Sequence, residues 1–518
     1  MQHGPTTDAP AHAPRWRIGL GVFAVVTVVY ALTSSGYLRS PSPHFHFVDM
    51  ANSFLHGRVD TDTPRRRGGA KPQQGDPAGY QAAIDRATRG GREGWNDWAS
   101  YRVLKLNGGE EVRGVFPWKD TNGSRKHDFY TLDGKIMVID PLRDVATGCD
   151  PTRPAARCDS VVYQVSFPPF PAMVMLPFVA VFGYDTHDVV LTLLFGALSA
   201  LLFFLWLERL ASERMIFHER RDRLWLVAMF AFGTVAWYCA IRGAVWFTAL
   251  TFGVTLHLAA LMCAERARRP FLAGLLLGLG VATRTPLLFG AVFLPLEALF
   301  PNGRWLGGRG ADGAPEAARA IALYALPMAA VGLGLAWFNW IRWENPTEFG
   351  HFYLLEGTRA PTREHGLFNF HFLNHNLSAA VTNLPKLVAH APFVQISRHG
   401  LGLLASTPAL FALFGAPPRH PAAPDEAADP LADRRRALRR HLVITALCIA
   451  TPALFYQNDG WQQFGYRFAL DFMPALLGIF ALRVGHLGRG TKALIVIAML
   501  VQLFGAITFG RYEQFYYD

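Results

Sequence analysis

Two adjoining stretches of sequence decide the fold: an apolar run and the mixed segment that follows it. Residues 16–36 read WRIGLGVFAVVTVVYALTSSG, and residues 41–62 read PSPHFHFVDMANSFLHGRVDTD. The first stretch predicts a membrane-spanning helix, because a span needs ~20 mostly apolar residues. It is too long for the core of a signal peptide and carries no A-x-A-like cleavage site, so we expect the helix to remain in the protein.

Apolar runs recur along the rest of the chain, interrupted by a polar insert at residues 40–165. The 518 residues are 51% hydrophobic. This pattern argues against a soluble globular protein and predicts a polytopic, all-α membrane protein. We predict eleven spanning segments, at residues 16–36, 188–210, 223–241, 244–264, 270–284, 286–301, 319–341, 400–416, 441–457, 469–484 and 491–509.

The chain is strongly basic, with a formal net charge of +11. Its Arg and Lys residues concentrate between apolar runs, where orientation in a bilayer explains them better than nucleic-acid binding. With eleven crossings, these basic connections all fall on the side of the N-terminus, which the positive-inside rule places in the cytoplasm. The connections lie at 209–223, 266–269, 304–309, 434–440 and 483–492. We therefore expect a lipid bilayer and no nucleic acid as partner.

The predicted spans divide the chain into five parts. They are residues 1–36 (cytoplasmic N-terminus and first span), 37–187 (a large periplasmic loop), 188–341 (spans two to seven), 342–399 (a second large periplasmic loop) and 400–518 (the last four spans). Inside the first loop, residues 167–183 read FPPFPAMVMLPFVAVFG, a short apolar run with four prolines. Counting it as a span would place the basic connection at 209–223 outside, so we predict a helix in or re-entering the outer interface.

The polar part of the first loop predicts a small β-containing subdomain. Residues 101–106 and 135–139 are strand-like stretches among Gly and Asn-Gly turn signals. Cys149 and Cys158 lie in the same loop, so a disulfide is compatible with a location outside the cytoplasm, although spacing alone fixes no pairing. In addition, we expect a mobile Gly- and Arg-rich stretch at 60–94, and a Pro-rich cytoplasmic linker at 417–433.

The segment at 41–62 offers the first candidate for chemistry. Its apolar side chains recur at helical spacing, which predicts an amphipathic helix on the outer membrane surface. His46, Asp49 and Asn52 lie off the apolar stripe. They form either a solvated polar face or part of a cavity in which Asp49 accepts a proton from an acceptor hydroxyl. A carboxylate near the low-dielectric interface gains a raised pKa, which suits a general base.

An arginine in a hairpin between two short apolar runs is a candidate for phosphate binding. Arg284 lies in GVATRTP, residues 280–286. An Arg at such a place is costly unless it meets an anion or reaches water. Guanidinium forms bidentate bonds to phosphate oxygens, and snorkelling to the interface is the alternative.

Two further outer segments combine Arg with aromatic residues. They contain Arg242 with Trp246, and Arg467 with Trp461 and Tyr466. Trp and Tyr are typical of membrane interfaces, but aromatic and Arg groups at this surface also suit a sugar and its phosphate. The alternative for Arg467 is a helical ion pair with Asp471, four residues later.

Four of the histidines in the second large outer loop raise the question of a metal. They are His351, His365, His371 and His375. Their spacing matches no strong motif such as HExxH. We predict no metal ligands and no required cofactor, although a divalent metal is compatible with the chemistry. The sequence contains no Walker loop, dinucleotide fingerprint or GxSxG elbow.

The layout and four segments resemble the GT-C superfamily of membrane glycosyltransferases, which includes protein O-mannosyltransferases and lipid A aminoarabinose transferases. HFVDMANSFLHGR resembles its first juxtamembrane helix, FPPFPAMVMLPFVAVFG the second, GLLLGLGVATRTP a segment whose basic residue approaches the lipid phosphate, and FGYRFALDFMPALL a C-terminal segment of bacterial members. The resemblance covers most of the chain. It implies a GT-C-like fold in the inner (cytoplasmic) membrane of a bacterium.

The resemblance also implies a reaction. A sugar moves from a polyprenyl-phosphate carrier to a hydroxyl of a glycan, lipid or protein on the periplasmic face, with inversion at the anomeric carbon. It implies Arg284 at the phosphate, with Arg467 or Arg242 beside it, and Asp49 as the base. The superfamily's catalytic Asp usually lies at the start of the juxtamembrane helix, where this chain reads PHFHF. The alternatives to Asp49 are therefore His44, His46, Asp60 and Asp62.

Two other classes of function are compatible with the sequence. A transporter or flippase of a lipid-linked sugar would explain the helices and basic groups but not the large outer loop. Such proteins often carry internal repeats, and none is clear here. A non-catalytic subunit of a polysaccharide-assembly system is the second alternative.

Overall fold

The computed structural model describes residues 15–62, 98–116, 127–354, 360–415, 429–483 and 486–518. The stretches expected to be a mobile region (60–94) and a linker (417–433) lie mostly outside these residues. Sixteen α-helices are described: α1 Arg15–Ser34, α2 His46–Leu55, α3 Phe170–Phe182, α4 Asp188–Ser212, α5 Arg220–Gly233, α6 Ala236–Ala240, α7 Val245–Ala264, α8 Pro270–Val281, α9 Phe293–Leu299, α10 Ala314–Trp343, α11 Ala360–His365, α12 Leu373–Leu377, α13 Leu403–Ser406, α14 Ala432–Phe455, α15 Ala469–Arg483 and α16 Arg489–Thr508.

Six helical segments of the described chain are long and apolar enough to cross a membrane. They are α1 with its 3₁₀ extension to Arg39, α4, α7 extended to Ala267, α10, α14 and α16. Each overlaps most of one predicted span, so the prediction of an α-helical membrane protein is confirmed. Their apolar surfaces indicate a lipid bilayer as the environment.

The other five predicted spans are shorter or interrupted, and the count of eleven stays a prediction. The span at 223–241 divides into α5 and α6 because Thr234 has extended backbone angles. The span at 286–301 begins as a 3₁₀ helix, Thr285–Val292, and continues as α9. The span at 400–416 is not one helix: α13 is followed by a 3₁₀ helix, Pro408–Leu413. Pro408 lacks an N–H and restricts the residue before it, which accounts for the interruption.

Polar contacts join the helix ends in two groups. In the first group, residues from the basic connections pair with carboxylates: Arg209 Nη2 lies 2.6 Å from Glu265 Oε2, Lys492 Nζ lies 2.7 Å from Asp222 Oδ1, and Arg434 pairs with buried Glu297. In the second group, the Ser34 hydroxyl donates to the carbonyl of Ile241, Arg242 donates to that of Phe509, and Arg511 donates to that of Ser34. Connections that the sequence assigns to one side of the bilayer therefore contact each other.

The first large loop contains the predicted β unit. Its five antiparallel strands are β1 Trp98–Lys105, β2 Glu111–Val115, β3 Asp128–Thr131, β4 Ile136–Val138 and β5 Asp159–Val165, in the order β4-β3-β2-β1-β5. Both strand-like stretches of the sequence form strands of this sheet. Cys149 and Cys158 are joined by a disulfide just before β5. The sheet rests on the membrane helices because Ala99, Tyr101 and Val115 pack in one cluster with Trp343 at the end of α10.

Helices α2 and α3 pack against each other beneath the sheet. The interpretation of α2 as carrying a solvated polar face is wrong, because every residue from His46 to Ser53 is buried. Helix α3 exposes Met173, Val181 and Phe182. Its 13 residues extend ~20 Å at 1.5 Å per residue, less than the ~30 Å of a bilayer core, which agrees with an interfacial rather than a spanning helix.

Candidate functional site

A cavity of about 910 Å³ lies where the two large loops meet the helix ends. It is lined from seven parts of the chain, among them the residue His44 just before α2, the α6–α7 turn, the α8–α9 hairpin and the loops after α10 and α14. Of the predicted site residues, His44, Arg242, Arg284, Trp461 and Arg467 line it. Asp49, His46 and Tyr466 are not among its lining residues.

Arg284 is held at the cavity by a carboxylate from a distant helix. Its backbone N–H donates to the carbonyl of Gly280 at 2.7 Å, which closes the turn after α8. Its Nε and Nη2 donate to Asp471 Oδ1 and Oδ2 at 2.7 and 2.6 Å. The Asp471 carboxylate, which sequence spacing offered to Arg467 as an alternative, thus forms a bidentate pair with Arg284. A bidentate pair of this kind fixes the plane of the guanidinium.

Two phenylalanine rings connect the three arginines of the cavity. The ring of Phe468 lies 5.3 Å from the Arg284 guanidinium and 5.6 Å from that of Arg467. The ring of Phe247 lies 5.4 Å from Arg467 and 5.4 Å from Arg242. Guanidinium groups are attracted to aromatic faces at such distances. The order Arg242–Phe247–Arg467–Phe468–Arg284 thus places three like charges at one cavity, with one aromatic ring near both members of each neighbouring pair.

Glu348 is the one carboxylate among the described residues that line the cavity, and it was not among the predicted site residues. It is buried, and its Oε1 accepts a 2.6 Å hydrogen bond from the N–H of Gly350. Burial raises the pKa of this carboxyl, and nearby backbone N–H groups oppose that effect. Gly350 has φ +93°, and a Cβ there would meet the Trp343 ring at 2.4 Å, so the turn requires glycine. The signal in sequence was the turn Asn-Pro-Thr-Glu just before His351.

Asp49 is fully buried between the first loop and α3. Its Oδ1 accepts from the hydroxyl of Tyr184 at 2.9 Å, and its Oδ2 accepts from Trp98 Nε1 at 2.9 Å. Burial raises the pKa of Asp49 to about 7, and these two hydrogen bonds lower it in part. The carboxyl therefore joins α2, the turn after α3 and the first strand, and it lies behind the cavity wall.

Two histidines connect the surroundings of Asp49 with the cavity, and their ring centroids lie 6.3 Å apart. The His46 ring stacks on Trp98 at 3.6 Å between centroids, and burial lowers its pKa. His44 lines the cavity, and its ring lies 4.6 Å from that of Trp246, another lining residue. Of the residues considered as alternatives to Asp49, His44 is thus the one in contact with the cavity.

The remaining predicted residues occupy different environments. Trp461 is half-exposed at the cavity rim, whereas Tyr466 is buried, and burial raises its pKa. Asp60 and Asp62 both pair with Arg58, at 2.6 and 3.1 Å, and do not reach the cavity. The backbone N–H of Tyr466 donates to the carbonyl of Leu401. Tyr466 therefore packs the loop that carries Arg467 and offers no surface to a ligand.

The four histidines that the sequence analysis considered as metal ligands do not form one cluster. His351 lines the cavity, and His365 stacks on His371 at 4.0 Å. His375 instead lies with His399 and Asp459, all three ligand atoms within 4.8 Å of one another. The sequence could not pair His375 with His399 and Asp459, which lie 24 and 84 positions further along the chain.

No family model, curated protein or solved structure matches this chain. The chemistry of the cavity must therefore be read from its own residues. Among the described lining residues there are three guanidinium groups and one carboxylate; Arg284 is paired with Asp471, and the remaining positive charge favours an anion. Leu288 and Phe289 also line it, and both are about half-exposed on the helical surface. The cavity can therefore hold a ligand with an anionic group and an apolar chain.

Proposed function

We propose that the protein is an inverting membrane glycosyltransferase that transfers a sugar from a polyprenyl-phosphate carrier to an acceptor hydroxyl on the periplasmic face. The observation that carries the proposal is the convergence of Arg242, Arg284 and Arg467 on one cavity whose wall is also apolar. A lipid phosphate combines both properties. The acceptor is a hydroxyl of a glycan, a lipid or a protein.

The carrier's phosphate lies at the arginines in this proposal. Arg284 uses Nε and Nη2 for Asp471, so its Nη1 is the group that donates to a phosphate oxygen. Arg467 and Arg242 add charge beside the Phe247 ring, each 5.4 Å from its centroid. The lipid tail leaves the cavity past Leu288 and Phe289. No nucleotide is needed, because the polyprenyl phosphate itself is the leaving group.

Glu348 is the proposed base. The acceptor oxygen attacks the anomeric carbon, its proton passes to the Glu348 carboxylate, and the bond from that carbon to the phosphate oxygen breaks. The polyprenyl phosphate departs with the electron pair and is stabilised by the arginines. A single displacement inverts the anomeric centre. Asp49, the base implied by the resemblance, would reach the acceptor only if Trp98 and His46 moved away.

The orientation of the protein in this proposal follows from two features. The Cys149–Cys158 disulfide indicates an oxidising compartment for the sheet. The basic connections form the first group of helix-end contacts, in which Arg209 pairs with Glu265 and Lys492 with Asp222. The positive-inside rule favours the cytoplasm for this end of the helices. The cavity and the sheet then face the periplasm, and the N-terminus lies on the cytoplasmic side of the inner membrane.

A transfer assay in lipid nanodiscs tests the proposal. The purified protein is incubated with radiolabelled polyprenyl-phosphate hexoses and pentoses and with a cell-envelope acceptor fraction. We expect transfer of one label, its loss in Glu348→Gln, and its reduction at least tenfold in Arg467→Ala. The matched controls are Glu316→Gln and Arg309→Ala, an exposed pair on a different connection.

The outcomes separate the proposed enzyme from the alternatives. Binding of a labelled polyprenyl phosphate without transfer, together with its movement between leaflets, would identify a flippase instead. If the protein showed no binding and no transfer, the proposal would be overturned and the non-catalytic subunit would be the remaining alternative. Full transfer by Glu348→Gln with loss in Asp49→Asn would return the role of base to Asp49.

A further inference from the structure

A second cluster of ligand-type side chains lies outside the cavity. His375 on α12, His399 after the strand Val394–Ser397, and Asp459 after α14 come together from two loops, the first two residues from separate parts of the second large loop. None of the three lines the cavity. They are therefore separate from the groups that carry the proposed transfer.

The geometry centres on one carboxylate oxygen. Asp459 Oδ2 lies 2.6 Å from His399 Nδ1 and 3.1 Å from His375 Nε2. The other oxygen, Oδ1, accepts from the backbone N–H of Trp461 at 3.0 Å. The Asp459 side chain is only 3% exposed, whereas that of His375 is 59% exposed. One oxygen thus fixes the turn, and the other faces two imidazoles at an opening to solvent.

This donor set suits a borderline metal ion. Two imidazoles and a carboxylate, each offering one atom, match the ligands of Zn²⁺ sites that keep an open fourth position. Metal–ligand bonds of ~2.0–2.1 Å at tetrahedral angles place ligand atoms ~3.3 Å apart. The three atoms here lie within 4.8 Å of one another, so small side-chain rotations bring them to a shared ion.

We propose that His375, His399 and Asp459 bind a Zn²⁺ ion that cross-links the second large loop to the loop after α14. The consequence concerns the cavity rim. Asn458, Trp461 and Gln462 line the cavity and flank the metal ligand Asp459. Binding of the ion fixes that rim without contact between metal and substrate. The alternative is a metal-free arrangement in which Asp459 only accepts hydrogen bonds from the two histidines.

Metal analysis of the full chain tests the site. Tag-free protein in detergent is incubated with ZnSO₄, dialysed, and analysed for bound zinc by mass spectrometry. We expect one zinc per chain in the wild type and at most a tenth of that in His399→Ala and in Asp459→Asn. The matched control is His371→Ala, because His371 lies in the same loop and stacks on another histidine without Asp459. It should retain one zinc.

A second measurement covers variants that fail to fold. His375→Ala alters a mostly exposed ring and should fold, yet it should lose the visible absorption bands of Co²⁺ that the wild type shows in the same site. Zn²⁺ should raise the Tm of the wild type and of His371→Ala but not that of His375→Ala. A wild type with no stoichiometric zinc, or equal zinc in His375→Ala, would overturn the site. Neither readout requires transferase activity, so this test and that of the proposed function fail independently.

Discussion

Arg284 and Asp471 form a bidentate ion pair although they are 187 residues apart in the sequence. The pair joins the α8–α9 hairpin to the first turn of α15, and it is nearly buried on both sides. It sets the angle at which one of the three guanidinium groups meets the cavity. Its removal should therefore affect both the fold and any anionic ligand.

Asp471→Ala should destabilise the protein by about 3–5 kcal/mol, because it leaves the Arg284 charge buried without its carboxylate. Thermal unfolding in detergent measures the effect as a fall in Tm. The control is Glu316→Ala, which breaks the exposed pair with Arg309 and should leave Tm unchanged. Equal Tm values for the two variants would show that the buried pair adds nothing to stability.

The transfer rate should depend on pH through Glu348. Burial raises the pKa of this carboxyl, so its deprotonated, proton-accepting form appears at a higher pH than that of an ordinary Glu. We expect kcat/KM to rise with pH as Glu348 loses its proton. Glu348→Gln should abolish this rising limb along with most of the rate, and the control Glu316→Gln should retain it. A rising limb that survives in Glu348→Gln would assign the titration to another group.

The stability of the protein should fall with rising pH through Asp49. Its folded-state pKa is about 7, above the ~3.9 of an unfolded Asp. Between these values the folded state holds a proton that the unfolded state has lost, so unfolding becomes easier by up to ~1.4 kcal/mol per pH unit. From pH 5 to 7 the Tm of the wild type should fall relative to that of Asp49→Asn. Asparagine can accept from Trp98 and donate to the Tyr184 hydroxyl, so it keeps both contacts without titrating. Parallel Tm curves would contradict a raised pKa at Asp49.

The disulfide should report the side of the membrane on which the sheet lies. Cys149 and Cys158 are nine residues apart, and closing so short a loop stabilises a fold by roughly 2–3 kcal/mol in the chain-entropy model. Thiol labelling under denaturing conditions should find both cysteines oxidised in normal bacterial cells and reduced in cells that lack periplasmic thiol oxidation. Cys239, buried in α6, serves as the internal free-thiol control. Oxidation that persists without the periplasmic system would contradict the proposed orientation.

Local patterns in the sequence were enough to predict several features. The apolar runs gave the long helices, and the alternating residues at 101–106 gave β1. The three arginines were each selected because of their position at a predicted outer helix end, and the structure brings them to one cavity. Such features depend on near neighbours in the chain and on the periodicity of helices and strands.

Features that depend on packing between distant segments were not predictable. The sequence left Asp49 either on a solvated face or in a cavity, but Trp98 from the sheet and Tyr184 from the turn after α3 cover it. Glu348 is positioned by the turn at Gly350, which packs against the Trp343 ring. Asp459 acquired two histidine neighbours from other loops. In each case the deciding contact comes from a residue more than 20 positions away or from a glycine turn, and no periodic pattern encodes it.

The shared rings of Phe247 and Phe468 make the three cavity arginines a thermodynamically coupled set. Each ring contacts two guanidinium groups, so the loss of one ring changes the surroundings of two charges at once. Energies of substitutions at residues in mutual contact do not add. Arg467 contacts both rings and is therefore the member whose replacement propagates to the other two. The proposed anion affinity of the cavity is thus a property of the three arginines and two rings together, and single substitutions do not measure a separate contribution of each arginine.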